Sequence, residues 1–246
     1  MPSLLRDATI VFDLDGTLVD TLPDLANSLN DVLTRRGHDA VPAETVRRAV
    51  GLGARAMIEA SLRHAGAHDD VDQMLAEFLV HYEANIAGAS RPFPGAVASL
   101  EALASAGANL ALCTNKRERL TRKLIQALEL ERYFSGVAGR DTFAMSKPDP
   151  GHLTGVIALA GGERTRAVMV GDSELDIRAA RGAGVPSILV SFGYGASALN
   201  EIAPDAVVDH FDALTDAAEF LLVSAFSLRR SHASRGESSK NGVVPS

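Results

Sequence analysis

The chain has 246 residues, of which 46% are hydrophobic and 5% aromatic, and it contains no tryptophan. This length allows one large domain, or a main domain with a smaller one, around a mainly aliphatic core. The formal net charge of −7 argues against a nucleic acid or an anionic membrane as the main partner. An anionic small molecule remains compatible, because a metal ion or a local positive group can outweigh the overall field.

A single cysteine, Cys113, excludes an intramolecular disulfide and argues against a cysteine-based zinc site. The first residues contain no long apolar segment, and no run is long enough to span a bilayer. We therefore expect a cytoplasmic protein with no membrane partner. Whether it is a monomer or a homodimer stays open.

Short apolar runs rich in β-branched residues recur along the chain, each followed by a polar turn and a helical stretch. They predict strands at Thr9–Phe12, Asn109–Cys113, Ala167–Val170, Ser187–Val190 and Ala206–Val208. Continuous apolar strands that alternate with helices are typical of a parallel sheet covered on both faces. The predicted fold class is α/β, a doubly wound parallel sheet with a Rossmann-like core and an inserted small α-helical domain.

The insertion is predicted from residues 20–90, where apolar residues recur at three- and four-residue spacing. The predicted helices are Thr21–Gly37, Glu44–Val50, Ala54–His64 and Val71–Ala87. Arg91–Gly95, with two prolines, is interpreted as a stiff return connection. We expect residues 1–19 and 91–226 to form the core, 20–90 a helical cap over the end of the first strand, and 227–246 a disordered tail.

The first polar cluster, Asp13, Asp15 and Thr17, follows the first predicted strand directly. Because side chains alternate along a strand, both aspartates are expected to point the same way at its carboxyl end, where open α/β sheets bind ligands. Two carboxylates so close repel each other unless a cation separates them, and a hard divalent ion would also bind phosphate. An ordinary acidic turn is the alternative.

The second and third clusters offer groups that bind anions. Thr114 and Asn115 follow a predicted strand, and their hydroxyl and backbone N–H groups lead into a helix predicted near Lys116. A helix cap is the alternative. Lys147 lies between Ser146 and two prolines that exclude a regular helix, so a fixed ammonium would neutralise phosphate there. A solvated lysine is the alternative.

The fourth cluster contains Asp172 and Asp176, again directly after a predicted strand. Asp172 is predicted at a helix N-cap, and Asp176 four residues later on the same side. Helix capping alone would explain both. All four clusters together bring four carboxylates, a hydroxyl and an ammonium to one edge of the sheet, which favours phosphoryl transfer.

With these residues in this order, the sequence resembles the haloacid dehalogenase-like hydrolase superfamily over about residues 8–223. The resemblance implies that Asp13 is the nucleophile and forms an acyl phosphate. It implies that Asp15 is the general acid and then the base. Thr114 and Asn115 would bind the phosphoryl group, and Lys147 would pair with Asp13 and the phosphate.

The resemblance also implies a Mg²⁺ ion held by Asp13, the backbone carbonyl of Asp15, and Asp172, with support from Asp176. It implies that the helical insertion is a cap that closes over the sheet edge. The aspartate at position 15 is typical of the phosphatase branch, because a leaving alkoxide needs a proton and a halide does not.

Within the superfamily the sequence looks most like bacterial phosphoglycolate phosphatases, on the segments 13–30, 50–55, 92–97 and 113–116. This implies a small phosphorylated metabolite as substrate, with 2-phosphoglycolate expected. Gly51 and Gly53 would let a cap loop approach the ligand, and Arg55 would meet its carboxylate. A glycine-rich helix start with a solvated arginine is the alternative. A sugar phosphomutase, another small-metabolite phosphatase and a silent binding protein remain the competing functions.

Overall fold

The computed structural model describes residues 4–195 and 203–224. Within these residues the strands are β1 (Thr9–Phe12), β2 (Val19–Asp20), β3 (Arg91–Pro92), β4 (Asn109–Cys113), β5 (Gly136–Ala138), β6 (Ala167–Gly171), β7 (Ser187–Val190) and β8 (Ala206–Val208). The helices are α1 (Leu22–Arg35), α2 (Ala43–Arg47), α3 (Ala54–Ala65), α4 (Val71–Ala84), α5 (Ala96–Ser105), α6 (Glu118–Ala127), α7 (Pro150–Leu159), α8 (Glu174–Ala183) and α9, described over 214–224. The predicted disordered tail, 227–246, lies outside the described residues.

Six parallel strands form the main sheet in the order β5-β4-β1-β6-β7-β8. This is the doubly wound order in which the chain runs outward from β1 in one direction and then returns to build the other half. β1 pairs with β4 on one side and with β6 on the other. The prediction of an α/β fold with a doubly wound parallel sheet is confirmed.

Helices cover both faces of the sheet, as the continuous apolar strands predict. Ile10 and Phe12 belong to the core cluster that includes α5, α6 and α9, whereas Val11 faces the cluster that includes α7 and α8. All three side chains are buried. Alternation along β1 thus explains how three consecutive apolar residues pack against two layers of helices.

A helical insertion, which we define as residues 21–90, lies between β2 and β3. It contains α1 to α4. β2 and β3 pair antiparallel, so the chain leaves and re-enters the core through adjacent strands. The predicted stiff return at Arg91–Gly95 is therefore part strand, and its first two residues pair with Val19 and Asp20. In the described part of the chain, no helix is long and apolar enough to cross a membrane.

Candidate active site

Three acidic side chains converge at the carboxyl ends of β1 and β6, which are neighbours in the middle of the sheet. Asp13 follows β1, and Asp172 and Asp176 follow the neighbouring strand β6. One carboxylate oxygen from each lies within 4.8 Å of the others, and all three residues are buried. The carboxyl ends of adjacent parallel strands meet at this edge, which is the usual ligand-binding position in such a sheet.

Lys147 reaches this acidic cluster from the loop before α7. Its Nζ lies 2.9 Å from Asp13 Oδ1 and donates a 2.6 Å hydrogen bond to Asp176 Oδ1. Burial lowers the pKa of the ammonium, but Asp13 and Asp176 outweigh burial and hold that pKa above its usual range. Lys147 therefore stays charged and brings one positive charge to three carboxylates.

The charge of the cluster is incompletely balanced. Burial raises the pKa of Asp13 to about 8; Lys147 opposes the rise, and Asp176 and Asp172 add to it. Burial also raises the pKa of Asp172 to about 6, again with a contribution from Asp176. Buried carboxylates this close are stable as anions only when further positive charge is present.

Asp172 is fixed by donors from two separate loops. Thr17 Oγ1 donates to Oδ1 at 2.8 Å, and the backbone N–H groups of Tyr194 and Gly195 donate to Oδ2 at 2.7 and 3.1 Å. Gly16 has a φ of +83°, and a Cβ there would lie 2.7 Å from Asp172 Oδ2 and from the Tyr194 ring. Glycine is therefore required at this turn for both geometry and space.

Asp176 serves helix α8 as well as the cluster. Its Oδ2 accepts hydrogen bonds from the backbone N–H and the hydroxyl of Ser173, which is the N-cap residue and forms a capping box. The prediction that Asp172 is the N-cap is wrong, because Asp172 precedes the cap and its carboxylate turns toward the cluster. A Cβ on Gly171 would overlap the Asp176 carboxylate, so the glycine leaves room for it.

Asp15 lies outside this group of three carboxylates. Its Oδ1 accepts a 2.7 Å hydrogen bond from Thr21 Oγ1 and lies 2.9 Å from Lys116 Nζ. The Lys116 ammonium also donates to Tyr82 Oη at 3.0 Å, which connects it to α4 of the helical insertion. The Asp15 side chain thus points toward the insertion rather than toward the cluster around Asp13.

Thr114 and Asn115 lie at the end of β4, beside β1. Thr114 is buried, and its Oγ1 accepts a 3.2 Å hydrogen bond from the Lys116 backbone N–H. Asn115 Nδ2 donates to the carbonyl oxygens of Gly51 and Lys147. Helix α6 begins at Glu118 with Arg117 as its N-cap residue, so neither Thr114 nor Asn115 caps it. The capping alternative is therefore wrong.

A cavity of about 400 Å³ lies between the helical insertion and the loops at this edge of the sheet. Asp15 and Asn115 line it on one side, and apolar side chains from α3 and α4 line it on the other. Arg55 also lines the cavity but forms an ion pair with Asp72 of α4. A substrate carboxylate would therefore have to compete with Asp72 for the Arg55 guanidinium, which is the group predicted to bind it.

Tyr194 of this site was not predicted from the sequence. Thr17 and Lys116 lie in segments that the sequence indicates, but their contacts were not predicted. Tyr194 lies 22 residues after Asp172. Its hydroxyl donates to Asp20 Oδ1 at 2.6 Å and accepts from the N–H groups of Thr21 and Leu22. Tyr194 thus connects the acidic cluster to the start of the helical insertion.

The acidic cluster fits a hard divalent cation. Its donors are carboxylate oxygens, which Mg²⁺ prefers, and they come from rigid strand ends. The excess of buried negative charge is what such an ion would offset. The hydrogen bonds from Thr17, Tyr194 and Gly195 hold Asp172 in orientation, as outer partners do around metal ligands.

Comparison with known proteins agrees with this geometry. The model of the haloacid dehalogenase-like hydrolase family matches residues 10–190. Phosphoglycolate phosphatase from Mesorhizobium japonicum is 50% identical over 222 residues, covering 88% of this chain and 97% of that protein. The phosphoglycolate phosphatase from Agrobacterium fabrum is 48% identical over 217 residues, covering 87% and 93%.

The fold is also similar to that of a solved structure. The crystal structure of a predicted phosphoglycolate phosphatase from Haemophilus somnus superimposes with a TM-score of 0.79 at 28% identity, covering 87% of this chain and 98% of that one. The chain belongs to the haloacid dehalogenase-like hydrolases. Within that class it is a phosphatase, a hydrolase of phosphoric monoesters.

Proposed function

We propose that this enzyme hydrolyses 2-phosphoglycolate to glycolate and inorganic phosphate, with an aspartyl phosphate on Asp13 as the intermediate. The observation that carries the proposal is the convergence of Lys147 with Asp13, Asp172 and Asp176 at one sheet edge. The neighbouring cavity has room for a small phosphorylated metabolite. The names of the relatives from Mesorhizobium japonicum and Agrobacterium fabrum support the choice of substrate.

In the first step a carboxylate oxygen of Asp13 attacks phosphorus, and the bond between phosphorus and the glycolate oxygen breaks. Asp15 donates a proton to that oxygen, so glycolate leaves as an alcohol. In the second step Asp15 takes a proton from water, whose oxygen attacks the acyl phosphate. Phosphate leaves, and the Asp13 carboxylate is restored.

The residues around Asp13 are suited to hold the phosphoryl group during both steps. Lys147 supplies a permanent positive charge within 2.9 Å of Asp13. Thr114, at the adjacent strand end, supplies a hydroxyl, and the backbone N–H groups that follow it supply further donors. Fixed donors stabilise the charge that develops in the transition state without reorganisation.

Asp13, Asp172 and Asp176, with the backbone carbonyl of Asp15, would hold Mg²⁺, which when bound neutralises negative charge on the phosphoryl oxygens. The helical insertion, residues 21–90, would act as a cap that excludes bulk water during turnover. Contacts between the insertion and the core, such as that of Asn115 with Gly51, would form and break as the cap moves.

A panel of phosphorylated metabolites, assayed with Mg²⁺ and with a chelator, tests the proposal. We expect 2-phosphoglycolate to rank among the best substrates by kcat/KM, and we expect the chelator to abolish turnover. A sugar phosphomutase would instead need a bisphosphate activator and would release little phosphate. Poor hydrolysis of 2-phosphoglycolate by an enzyme that hydrolyses other phosphate esters would exclude the proposed substrate but not phosphatase activity.

A further inference from the structure

The cavity beside Asp15 is lined by more positive than negative side chains. Its charged lining residues are Asp15, Arg55, Lys116, Arg117 and Arg140. The reacting phosphoryl group is expected at Asp13, which does not line this cavity. The positive side chains of the cavity therefore face the part of the substrate that leaves.

Two of the four positive side chains already have carboxylate partners. Lys116 forms an ion pair with Asp15, and its side chain is only 6% exposed. Arg55 forms an ion pair with Asp72 on the neighbouring helix of the insertion. An incoming anion would have to displace these partners, so neither side chain is the first choice to bind it.

Arg117 and Arg140 differ from these two. Over residues 4–195 and 203–224, neither forms an ion pair with a carboxylate. They come from adjacent loops, after β4 and β5, that are joined by a 3.0 Å hydrogen bond from the Arg140 N–H to the Lys116 carbonyl. Both side chains are exposed enough to meet a ligand from solvent.

Arg140 extends from the core to the helical insertion at the cavity. A Cβ on Gly53 would lie 2.9 Å from Arg140 Nη1, so the guanidinium lies against the backbone at the start of α3. Most of the other lining side chains are apolar, among them Val50, Met57 and Leu79. An anionic group in such surroundings needs a charged hydrogen-bond donor to offset its desolvation.

We propose that Arg140, with Arg117 beside it, binds a carboxylate of the substrate and so selects phosphorylated carboxylic acids over neutral phosphate esters. A guanidinium can donate two parallel hydrogen bonds to a carboxylate, which gives orientation as well as charge. This assigns to Arg140 the role that the sequence suggests for Arg55. The inference rests on the proposed function, because 2-phosphoglycolate carries such a carboxylate.

The experiment compares two substrates of similar size, 2-phosphoglycolate and ethyl phosphate, which lacks the carboxylate. Steady-state kinetics are measured for the wild type and for R140Q, R140K and R55Q. R178Q serves as the matched control, because Arg178 is an exposed arginine of α8 that does not line the cavity. Far-UV circular dichroism and thermal unfolding check that every variant is folded.

We expect R140Q to lower kcat/KM for 2-phosphoglycolate by about 10- to 100-fold, mainly through KM, because a charged hydrogen-bond pair is lost. For ethyl phosphate the change should stay within about threefold, as for R178Q with either substrate. R140K keeps the charge but loses the two-pronged geometry, and it should lie between R140Q and the wild type.

Three results would overturn the inference. R140Q could keep the wild-type preference for 2-phosphoglycolate. It could lose activity equally on both substrates. Finally, R55Q rather than R140Q could show the selective loss of activity on 2-phosphoglycolate. In each case 2-phosphoglycolate remains the preferred substrate of the wild type, so the proposed function stands. A wild type without preference for 2-phosphoglycolate over ethyl phosphate would instead overturn the proposed substrate and the inference together.

Discussion

Lys116 holds the proposed general acid in place by a short contact across two loops. Its Nζ lies 2.9 Å from Asp15 Oδ1 and 4.7 Å from the centre of the Tyr82 ring. Burial lowers the pKa of the Lys116 ammonium, but Asp15 and Tyr82 outweigh burial and raise that pKa above its usual range. A charged Lys116 thus fixes one oxygen of Asp15 and leaves the other for proton transfer.

Replacing Lys116 with methionine should therefore lower kcat by about 10- to 100-fold, because Asp15 would lose its orientation for proton transfer. The KM for the best substrate should change much less. Steady-state kinetics check this. Lys123→Met is the matched control, since Lys123 is a half-exposed lysine of α6 whose Nζ contacts Glu83 of α4. An unchanged kcat in Lys116→Met would show that Lys116 does not position Asp15 for proton transfer.

Residue types and their order predicted much of the candidate site, but the contacts between them were not predictable. Asp13, Asp172 and Asp176 follow strands that a periodicity argument can find, so their convergence could be expected. The partner of Asp172, Thr17, is 155 residues away, and no local pattern indicates that hydrogen bond. The ion pair of Arg55 with Asp72 depends on the packing of two helices and was likewise missed.

At the scale of the elements, the connection between core and insertion depends on Tyr194. Its hydroxyl accepts hydrogen bonds from two of the first N–H groups of α1, which have no partner within the helix. The same hydroxyl donates to Asp20, and the Tyr194 ring packs against Phe93 and the guanidinium of Arg47. One side chain thus supports both the start of α1 and the loop that holds Asp172.

Tyr194→Phe keeps the ring but leaves these groups without partners, and it should lower the free energy of unfolding by about 1–3 kcal/mol. Urea denaturation gives this value. The matched control is Tyr133→Phe, because the Tyr133 hydroxyl binds Glu101 at the protein surface, where water can replace it. If both variants lost the same small amount of unfolding free energy, the Tyr194 hydroxyl would not stabilise the connection between the core and the helical insertion.

A second contact joins the two ends of the helical insertion. Asp24 of α1 is buried, and its carboxylate accepts hydrogen bonds from the N–H groups of Ala89 and Ser90 and from the Ser90 hydroxyl. These bonds tie the last residues of the insertion to its first helix. They are charge-assisted, which makes them stronger than neutral hydrogen bonds.

Asp24→Asn would remove the negative charge and replace one accepting oxygen with an NH₂ group that faces other hydrogen-bond donors. We therefore expect the free energy of unfolding to fall by about 2–3 kcal/mol. Thermal unfolding measures it, with exposed Asp216→Asn as the control that should leave stability nearly unchanged. An Asp24→Asn variant as stable as the wild type would show that these bonds contribute little.

The sequence predicts strands rich in apolar and β-branched residues better than the others. Five strands of the main sheet were predicted within a residue of their observed ends, because each contains at least three consecutive apolar residues. β5, Gly136–Ala138, was missed because its one β-branched residue lies between two small ones and its position depends on pairing with β4. α4 ends at Ala84, three residues before the predicted Ala87.

For the whole molecule, a bound cation should increase stability, because it binds the folded acidic cluster and not the unfolded chain. At a hundredfold excess over its Kd, Mg²⁺ should stabilise the enzyme by about 2.7 kcal/mol, or roughly 5–10 °C in Tm. Asp172→Asn should lose most of this Mg²⁺-induced shift, and Asp216→Asn should keep it. An undiminished shift in Asp172→Asn would place the cation elsewhere.

The most direct measurement is covalent labelling of the enzyme during turnover. Wild-type enzyme is mixed with 2-phosphoglycolate labelled in its phosphoryl group and with Mg²⁺, quenched in acid within milliseconds and digested. We expect the label on the peptide that contains Asp13, and we expect neither label nor turnover in a folded Asp13→Asn variant. Label on another peptide, or undiminished turnover in Asp13→Asn, would contradict the role of Asp13 as nucleophile.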